Sequence, residues 1–191
     1  VMAAANAAKR AGINNLITYD MGGTSTDVAL VKDAIPAVSN ELDVEYAMPI
    51  HVPMVDVRTI GSGGGSIASI TDAGLLRVGP ESAGATPGPI CYGSGGDNPT
   101  ITDANLLLGR LNASKLLSTS DTPSLDKIRA IFDEKIASPL GIDVDQAAGA
   151  IIRVANDRMA GAVRIVSISK GYDPRDFTLF AFGGAGPLHA A

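Results

Sequence analysis

Apolar residues fall into short runs along most of this chain, but over residues 144–170 they recur at every third or fourth position, so strand-like and helix-like stretches alternate. The opening "VMAAANAAKRAG" reads as a helix over about 2–11 that stops at Gly12. Strands are predicted near 14–20 ("NNLITYD") and 27–32 ("DVALVK"), with a third inside 35–47. "VPMVDVRTI" then carries a strand into the glycines at 63–65, and "SIASITDAGLLRVG" reads as a hairpin turning at Asp72-Ala73-Gly74. From Gly79 to Thr100, six glycines and four prolines predict neither helix nor regular strand. "TDANLLLGRL" is a short helix with Thr102 or Asp103 as its cap. "SLDKIRAIFDEKIAS" begins with a Ser124 cap and sets Leu125, Ile128, Ile131, Phe132 and Ile136 along one stripe. The longest helix runs 144–170, opened by Asp143 and Gln146 as a capping-box pair, with Ala148, Ile151, Ile152, Ala155, Met159, Ala162, Val163 and Val166 facing the core. A strand at 177–182, a turn at 183–186 and a helix from about Pro187 close the chain. The fold class is therefore α/β, a sheet flanked by helices.

Candidate chemistry begins at "DMGGTSTDVAL", where a strand meets two adjacent glycines and leaves as another strand. A dinucleotide fold needs a helix after its glycines and a P-loop needs a Gly-Lys-Ser/Thr ending, so neither motif fits. A β-hairpin that holds phosphate does fit. Gly22 and Gly23 lack a Cβ and let backbone N–H groups approach an anion, while Thr24, Ser25 and Thr26 add hydroxyl donors. Asp20 and Asp27 would repel bare phosphate, and Mg²⁺, held through one or two carboxylates and water, reconciles the two. The plain alternative is a hairpin with nothing bound.

The closing Gly183-Gly184-Ala185-Gly186 does precede a helix start, where an anionic or polar group can sit. Asp56 and the Gly61–Ser66 loop are candidates for contact with substrate or phosphate, against the reading of a glycine-rich bend between strands. Asp103 and Asn105 suit a helix cap as well as a site, and His189 either touches ligand or fills space. Cys91 needs an activating base to serve as a nucleophile and otherwise packs; His51, before Val52-Pro53, reads as structural.

Composition narrows the classes. With 191 residues, 46% of them apolar, the chain can bury a substantial core. A net charge of −5, with 15 Lys plus Arg scattered along the sequence, argues against a nucleic-acid or membrane surface. A lone cysteine excludes an internal disulfide and favours the cytoplasm. The chain starts in what reads as a helix already under way and stops in one just beginning, so it is expected to be part of a longer protein.

The order of helix, strand, glycine hairpin, strand, long insertion, buried helix, strand and Gly-Gly turn resembles the second lobe of the actin, sugar-kinase and heat-shock chaperone ATPases, a ribonuclease H-like fold with a mixed sheet. A sharper resemblance, over essentially all 191 residues, is to the hydantoinase A/5-oxoprolinase family. It rests on five words in order: "NLITYDMGGTSTDVALV", "PMVDVRTIGSGGGSIASI", "GLLRVGPESAGATPGPICYG", "PTITDANLLLGRL" and "FAFGGAGPLHA". Arg58 stands where many members have His, and Ser62 where Ala is common.

The resemblance implies one lobe spanning 1–191 with a Gly/Pro-rich insertion at about 45–142, and an earlier lobe with its own Asp-Gly-Gly-Thr hairpin. It implies ATP and Mg²⁺ as cofactors, and ATP-dependent opening of a hydantoin or 5-oxoproline through phosphorylation of the ring carbonyl. It also implies a partner subunit of the hydantoinase B type. By carry-over, Gly22, Gly23, Thr24 and Ser25 hold phosphate, and Gly183, Gly184 and Gly186 border the nucleotide. Asp20 and Asp27 position the metal by the same carry-over; beside them Asp56 is a candidate for catalysis, and Gly63, Gly64, Gly65, Ser66 and His189 are candidates for contact with substrate or phosphate. An ATP-dependent ketone carboxylase subunit and a non-catalytic actin-like nucleotide module are the alternatives. By itself, the 191-residue piece is expected to be inactive.

Overall fold

Strand β1 (Leu16–Met21) and strand β2 (Thr26–Lys32) form an antiparallel pair that places Asp20 opposite Asp27 and Met21 opposite Thr26. The computed structural model describes residues 1–39, 42–44, 48–50, 53–116 and 124–190. His51 lies outside them. Strand β3 (Val57–Ile60) pairs antiparallel with the start of β2, setting Thr26 opposite Ile60, and Ile35–Pro36 pairs with its end. The third strand expected within 35–47 is broken into short pieces: Ile35–Pro36, Val38–Ser39 and Leu42–Val44 pair with three different partners.

The insertion continues as a hairpin of β4 (Ser66–Ile70) and β5 (Leu76–Ser82), turning where expected. Here one expectation fails, because β5 runs through Gly79 and Pro80 to Ser82, with a register irregularity between Val78 and Ser82. A bulge lets a strand carry residues that a regular ladder excludes. Helix α2 (Ile101–Leu107) is capped two or three residues earlier than predicted: Thr100 is its cap and Asp103 is the reciprocal partner of a capping box. Helix α3 (Leu125–Phe132) starts at Ser124 and passes through a π-helical stretch, 133–137, into Ser138–Leu140. Ile128, Phe132 and Ile136 are buried as predicted, whereas Leu125, in the first turn, is 43% exposed.

Helix α4 (Val144–Val166) has the predicted capping box, in which the Gln146 N–H donates to Asp143 Oδ1 (2.7 Å) and the Asp143 N–H to Gln146 Oε1 (3.2 Å). It ends earlier than expected, and a 3₁₀ turn at Ile168–Lys170 completes the stretch. Half of its buried stripe is alanine (Ala147, Ala148, Ala155 and Ala162 beside Ile151, Ile152, Met159 and Val166), which lets a helix lie close to a sheet. Last, β6 (Thr178–Phe182) pairs parallel with β1, placing Phe182 beside Asp20.

This mixed sheet has two apolar faces. Ile17, Tyr19, Met21, Val28 and Leu30 join α2, α3 and α4 in the main core; Leu16 and Val31 meet Ala4, Ala5 and Ala8 of helix α1 (Met2–Arg10) on the other face. Cover on both faces explains why β1 is almost continuously buried although its sequence alternates only weakly. The architecture is the helix-flanked α/β sheet expected of an actin-like lobe. Among the described residues, no helix is long and apolar enough to cross a membrane.

Candidate functional site

Three glycine turns from distant parts of the chain meet at one end of this sheet. The hairpin turn between β1 and β2 closes when the Gly22 N–H donates to the Ser25 carbonyl (3.0 Å). That N–H is used within the turn. Gly23 and Thr24, exposed at its tip, keep N–H groups with no acceptor among the described residues, so these two are the donors open to an anion.

The second turn, Gly63–Gly65, packs behind the first. Gly64 N–H donates to the Gly22 carbonyl (2.9 Å) and Gly65 N–H to the Gly23 carbonyl (2.6 Å). A Cβ on Gly63 would lie 2.5 Å from Thr24 N, so only glycine permits this approach. Ser66 is fully buried, with its Oγ accepting from the Gly63 N–H (2.9 Å). Expected to meet substrate or phosphate, the loop instead braces the hairpin, and of its glycines Gly64 reaches the cleft wall. Thr102 fixes it from α2, through N–H and hydroxyl donors to the Gly64 carbonyl, both at 2.8 Å.

The third turn follows β6. Pairing of β6 with β1 brings Gly183 against Asp20, where an added Cβ would stand 2.5 Å from Asp20 Oδ1, and the Ala185 N–H donates to the Met21 carbonyl (2.9 Å). Gly184, by contrast, has nothing within 4 Å of such a Cβ, and neither does Gly23. Gly186 is buried close to Tyr19, at the start of a 3₁₀ turn that takes the place of the expected helix. The predicted glycines thus divide by role: Gly22, Gly23 and Gly184 line a cleft of about 420 Å³, while Gly63, Gly65, Gly183 and Gly186 allow the backbone to pack. Tyr92, Leu111, Lys115, Leu116 and Leu188 complete its walls.

Asp20 and Asp27 are direct partners on the β1–β2 ladder, which sets their Cβ atoms about 5 Å apart on one face. Thr59 on β3 donates its hydroxyl to Asp27 Oδ1 (2.6 Å) and orients that carboxylate. No cluster of three or more His, Cys, Asp or Glu side chains suited to a metal exists among the described residues. Two paired carboxylates nevertheless suit Mg²⁺, which rarely uses an all-protein cage and takes its remaining ligands from water and phosphate. Asp56, predicted as catalytic, is not brought to these turns. It precedes β3, about 13 Å along the chain from Ile60 at a strand's rise per residue, and is ion-paired with Lys170 beyond α4.

His189 is not brought to the cleft either. Its Nδ1–H donates to Asn156 Oδ1 (2.7 Å), and Nε2 accepts from Asn105 Nδ2 (3.1 Å), partners that assign this tautomer. Burial, helped by the nearby Arg110 guanidinium, lowers its pKa to about 4. A neutral imidazole therefore ties the last turn to α2 and α4, beside an apolar cavity of about 460 Å³ lined by Ile17, Tyr19, Met159, Phe177 and Leu179.

Asp103 is fully buried and accepts from the N–H groups of Ile90, Cys91 and Thr100 and from the Thr100 hydroxyl (2.7–3.2 Å). It is the knot of the 90–103 segment. Cys91 is buried beside it, and burial together with the Asp103 charge pushes the thiol pKa well up, which disfavours a nucleophilic thiolate. Lys115 and Tyr92 went unnoticed in the sequence. Neither belongs to a glycine turn, and no local signal marks them.

A family model described as hydantoinase/oxoprolinase matches residues 1–191. The chain is 51% identical over 183 residues to caprolactamase subunit alpha of Pseudomonas jessenii, covering 93% of this chain and 25% of that protein. It is 42% identical over 192 residues to the acetophenone carboxylase gamma subunit of Aromatoleum aromaticum, covering 100% and 26%. The crystal structure of ATP-dependent caprolactamase from P. jessenii superimposes with a TM-score of 0.88 at 48% identity, covering 98% of this chain and 27% of that one. The chain thus spans about a quarter of the length of these relatives.

Proposed function

This chain belongs to the hydantoinase/oxoprolinase family, and on that premise we propose that it is the second nucleotide-binding lobe of an ATP-dependent hydrolase that opens cyclic amides such as a hydantoin or 5-oxoproline. The observation that carries this reading is the meeting of the β1–β2 turn, where Gly23 keeps a free N–H donor, with the open Gly184 at one cleft, next to the two strands on which Asp20 and Asp27 are paired. The ATP-dependent caprolactamase, similar over almost the whole chain, lends it support.

The chemistry follows from the substrate. Amide resonance makes a ring carbonyl carbon a poor electrophile. Attack by its oxygen on the γ-phosphorus of ATP forms an O–P bond, breaks the bond to the β-phosphate oxygen and releases ADP. Water then adds to the activated carbon, and the C–N bond breaks as nitrogen takes a proton. A second water releases phosphate from the resulting acyl phosphate. Phosphoryl transfer demands chiefly positioning and charge neutralisation. In this assignment the Gly23 and Thr24 N–H groups hold phosphate oxygens, the Thr24 and Ser25 hydroxyls flank them, and Gly184 borders the nucleoside. Asp20 and Asp27 would hold Mg²⁺ or its waters, and Mg²⁺ supplies neutralisation of phosphate charge. The remainder of the longer protein supplies the opposing phosphate hairpin, and a hydantoinase B-type subunit is the proposed partner, in the cytoplasm.

The likeness to a carboxylase gamma subunit favours a second reading, in which an enolate oxygen of a ketone is phosphorylated instead. Full-length protein supplied with Mg²⁺ and ATP separates the two. ADP release driven by hydantoins, 5-oxoproline or other lactams is the expected result; release driven by ketones with bicarbonate would move the assignment to the carboxylase branch. Tight ATP binding with turnover of neither class, and with nucleotide-dependent partner exchange, would leave an actin-like module.

A further inference from the structure

Lys115 is the one charged side chain among the residues that line the cleft at the glycine turns. It closes a 3₁₀ turn, Ala113–Lys115, whose cap Asn112 accepts from the Ser114 N–H (3.0 Å) and the Ser114 hydroxyl (2.8 Å). Leu111, Ala113 and Leu116 pack against the main core, so the backbone around Lys115 is anchored while its side chain stays exposed. Its ammonium has no ion-pair or hydrogen-bond partner among the described residues. An unpaired cation over a cleft whose other walls are glycine backbone, Leu111, Leu116, Leu188 and Tyr92 gains little from stability, since exposed charges are well solvated.

What would gain is an anion in the cleft. A triphosphate carries more negative charge than one divalent cation cancels, and Asp20 and Asp27 beside the turn add more of the same sign. The Gly23 and Thr24 N–H groups offer dipoles, not full charge. We propose that Lys115 is a phosphate-chain ligand of this cleft, closing over the nucleotide from the insertion, with the leucines and Tyr92 providing the apolar wall for the base. This rests on the nucleotide reading of the cleft and deepens it: the insertion, and not the sheet, supplies the neutralising side chain.

The test is calorimetric titration of full-length protein, wild type, Lys115→Met and Lys115→Arg, with adenosine, AMP, ADP and ATP in the presence of Mg²⁺. Loss of one charge-assisted contact predicts ATP binding weakened about tenfold or more in Lys115→Met. The loss should shrink from ATP to AMP and vanish for adenosine, while Lys115→Arg restores most of the affinity and raised salt narrows the gap. Equal loss on all four ligands would mean that Lys115 only shapes the wall, and no loss would mean that it faces away; either overturns the inference and leaves the nucleotide cleft standing. Wild-type protein that binds none of the four overturns both. Matching thermal unfolding of the three proteins keeps a folding defect from passing as lost affinity.

Discussion

A neutral, half-buried His189 has a consequence for stability that can be followed with pH. Its folded pKa, lowered to about 4 by burial and by Arg110, lies below the value of about 6.5 expected in the unfolded chain. Between those values the unfolded state binds a proton that the native state refuses, so stability rises with pH and is lost as pH falls from about 6.5 toward 4. Urea unfolding should show wild type losing stability relative to His189→Gln across that window, and parallel curves would refute it. Glycine roles are tested at the same scale. Gly183→Ala forces a Cβ into Asp20 Oδ1 and the Met21 carbonyl at a φ of +82° and should cost about 2 kcal/mol or more. Gly184→Ala, facing open space, should unfold within about 0.5 kcal/mol of wild type yet bind nucleotide less well in the full-length protein. Sequence alone could not sort these two adjacent residues, because the distinction lies in what the β6–β1 pairing brings beside each.

Among the elements, the segment between β5 and α2 depends on one side chain. Asp103 gathers three N–H donors and a hydroxyl in the core, and its own burial holds the carboxyl pKa above the usual range. Asp103→Ala leaves those donors without an acceptor and should cost about 3 kcal/mol or more in chemical denaturation. Asp103→Asn, which keeps an acceptor oxygen, should cost less. The capping chemistry around it was legible as a pattern, Thr100 with an acid three residues on, but the cap was placed two or three residues late. α4 was read far better, because its 3.6-residue period and its Asp143–Gln146 box are both local. β5 was cut short at Gly79, since glycine and proline argue against a ladder unless a bulge accommodates them.

For the whole molecule, the proposed assignment makes the cleft one wall of a phosphate site. A polypeptide of residues 1–191 alone should bind Mg²⁺-ATP weakly or not detectably by calorimetry, while the full-length protein binds it. Tight, magnesium-dependent binding by the shorter chain would show that the opposing hairpin is dispensable. The family resemblance foresaw which regions meet, the β1–β2 turn with the Gly-Gly turn after β6, and long-range pairing of β1 with β6 delivers that meeting. It did not foresee that Asp56 would leave the site for Lys170, or that Lys115 would enter it.

What the chain's order of residues settled by itself was mostly what neighbours govern: the α/β alternation, the two-glycine hairpin with an acid on each arm, the capped start of helix α4 and the burial of its stripe. Periodicity and capping act over a few residues, so they can be read along a line. Which glycine faces the cleft and which faces another strand, and which charge stands free above it, was decided only in three dimensions. Those outcomes depend on contacts between segments far apart in the chain, and nothing in the local pattern of either segment encodes the distance between them.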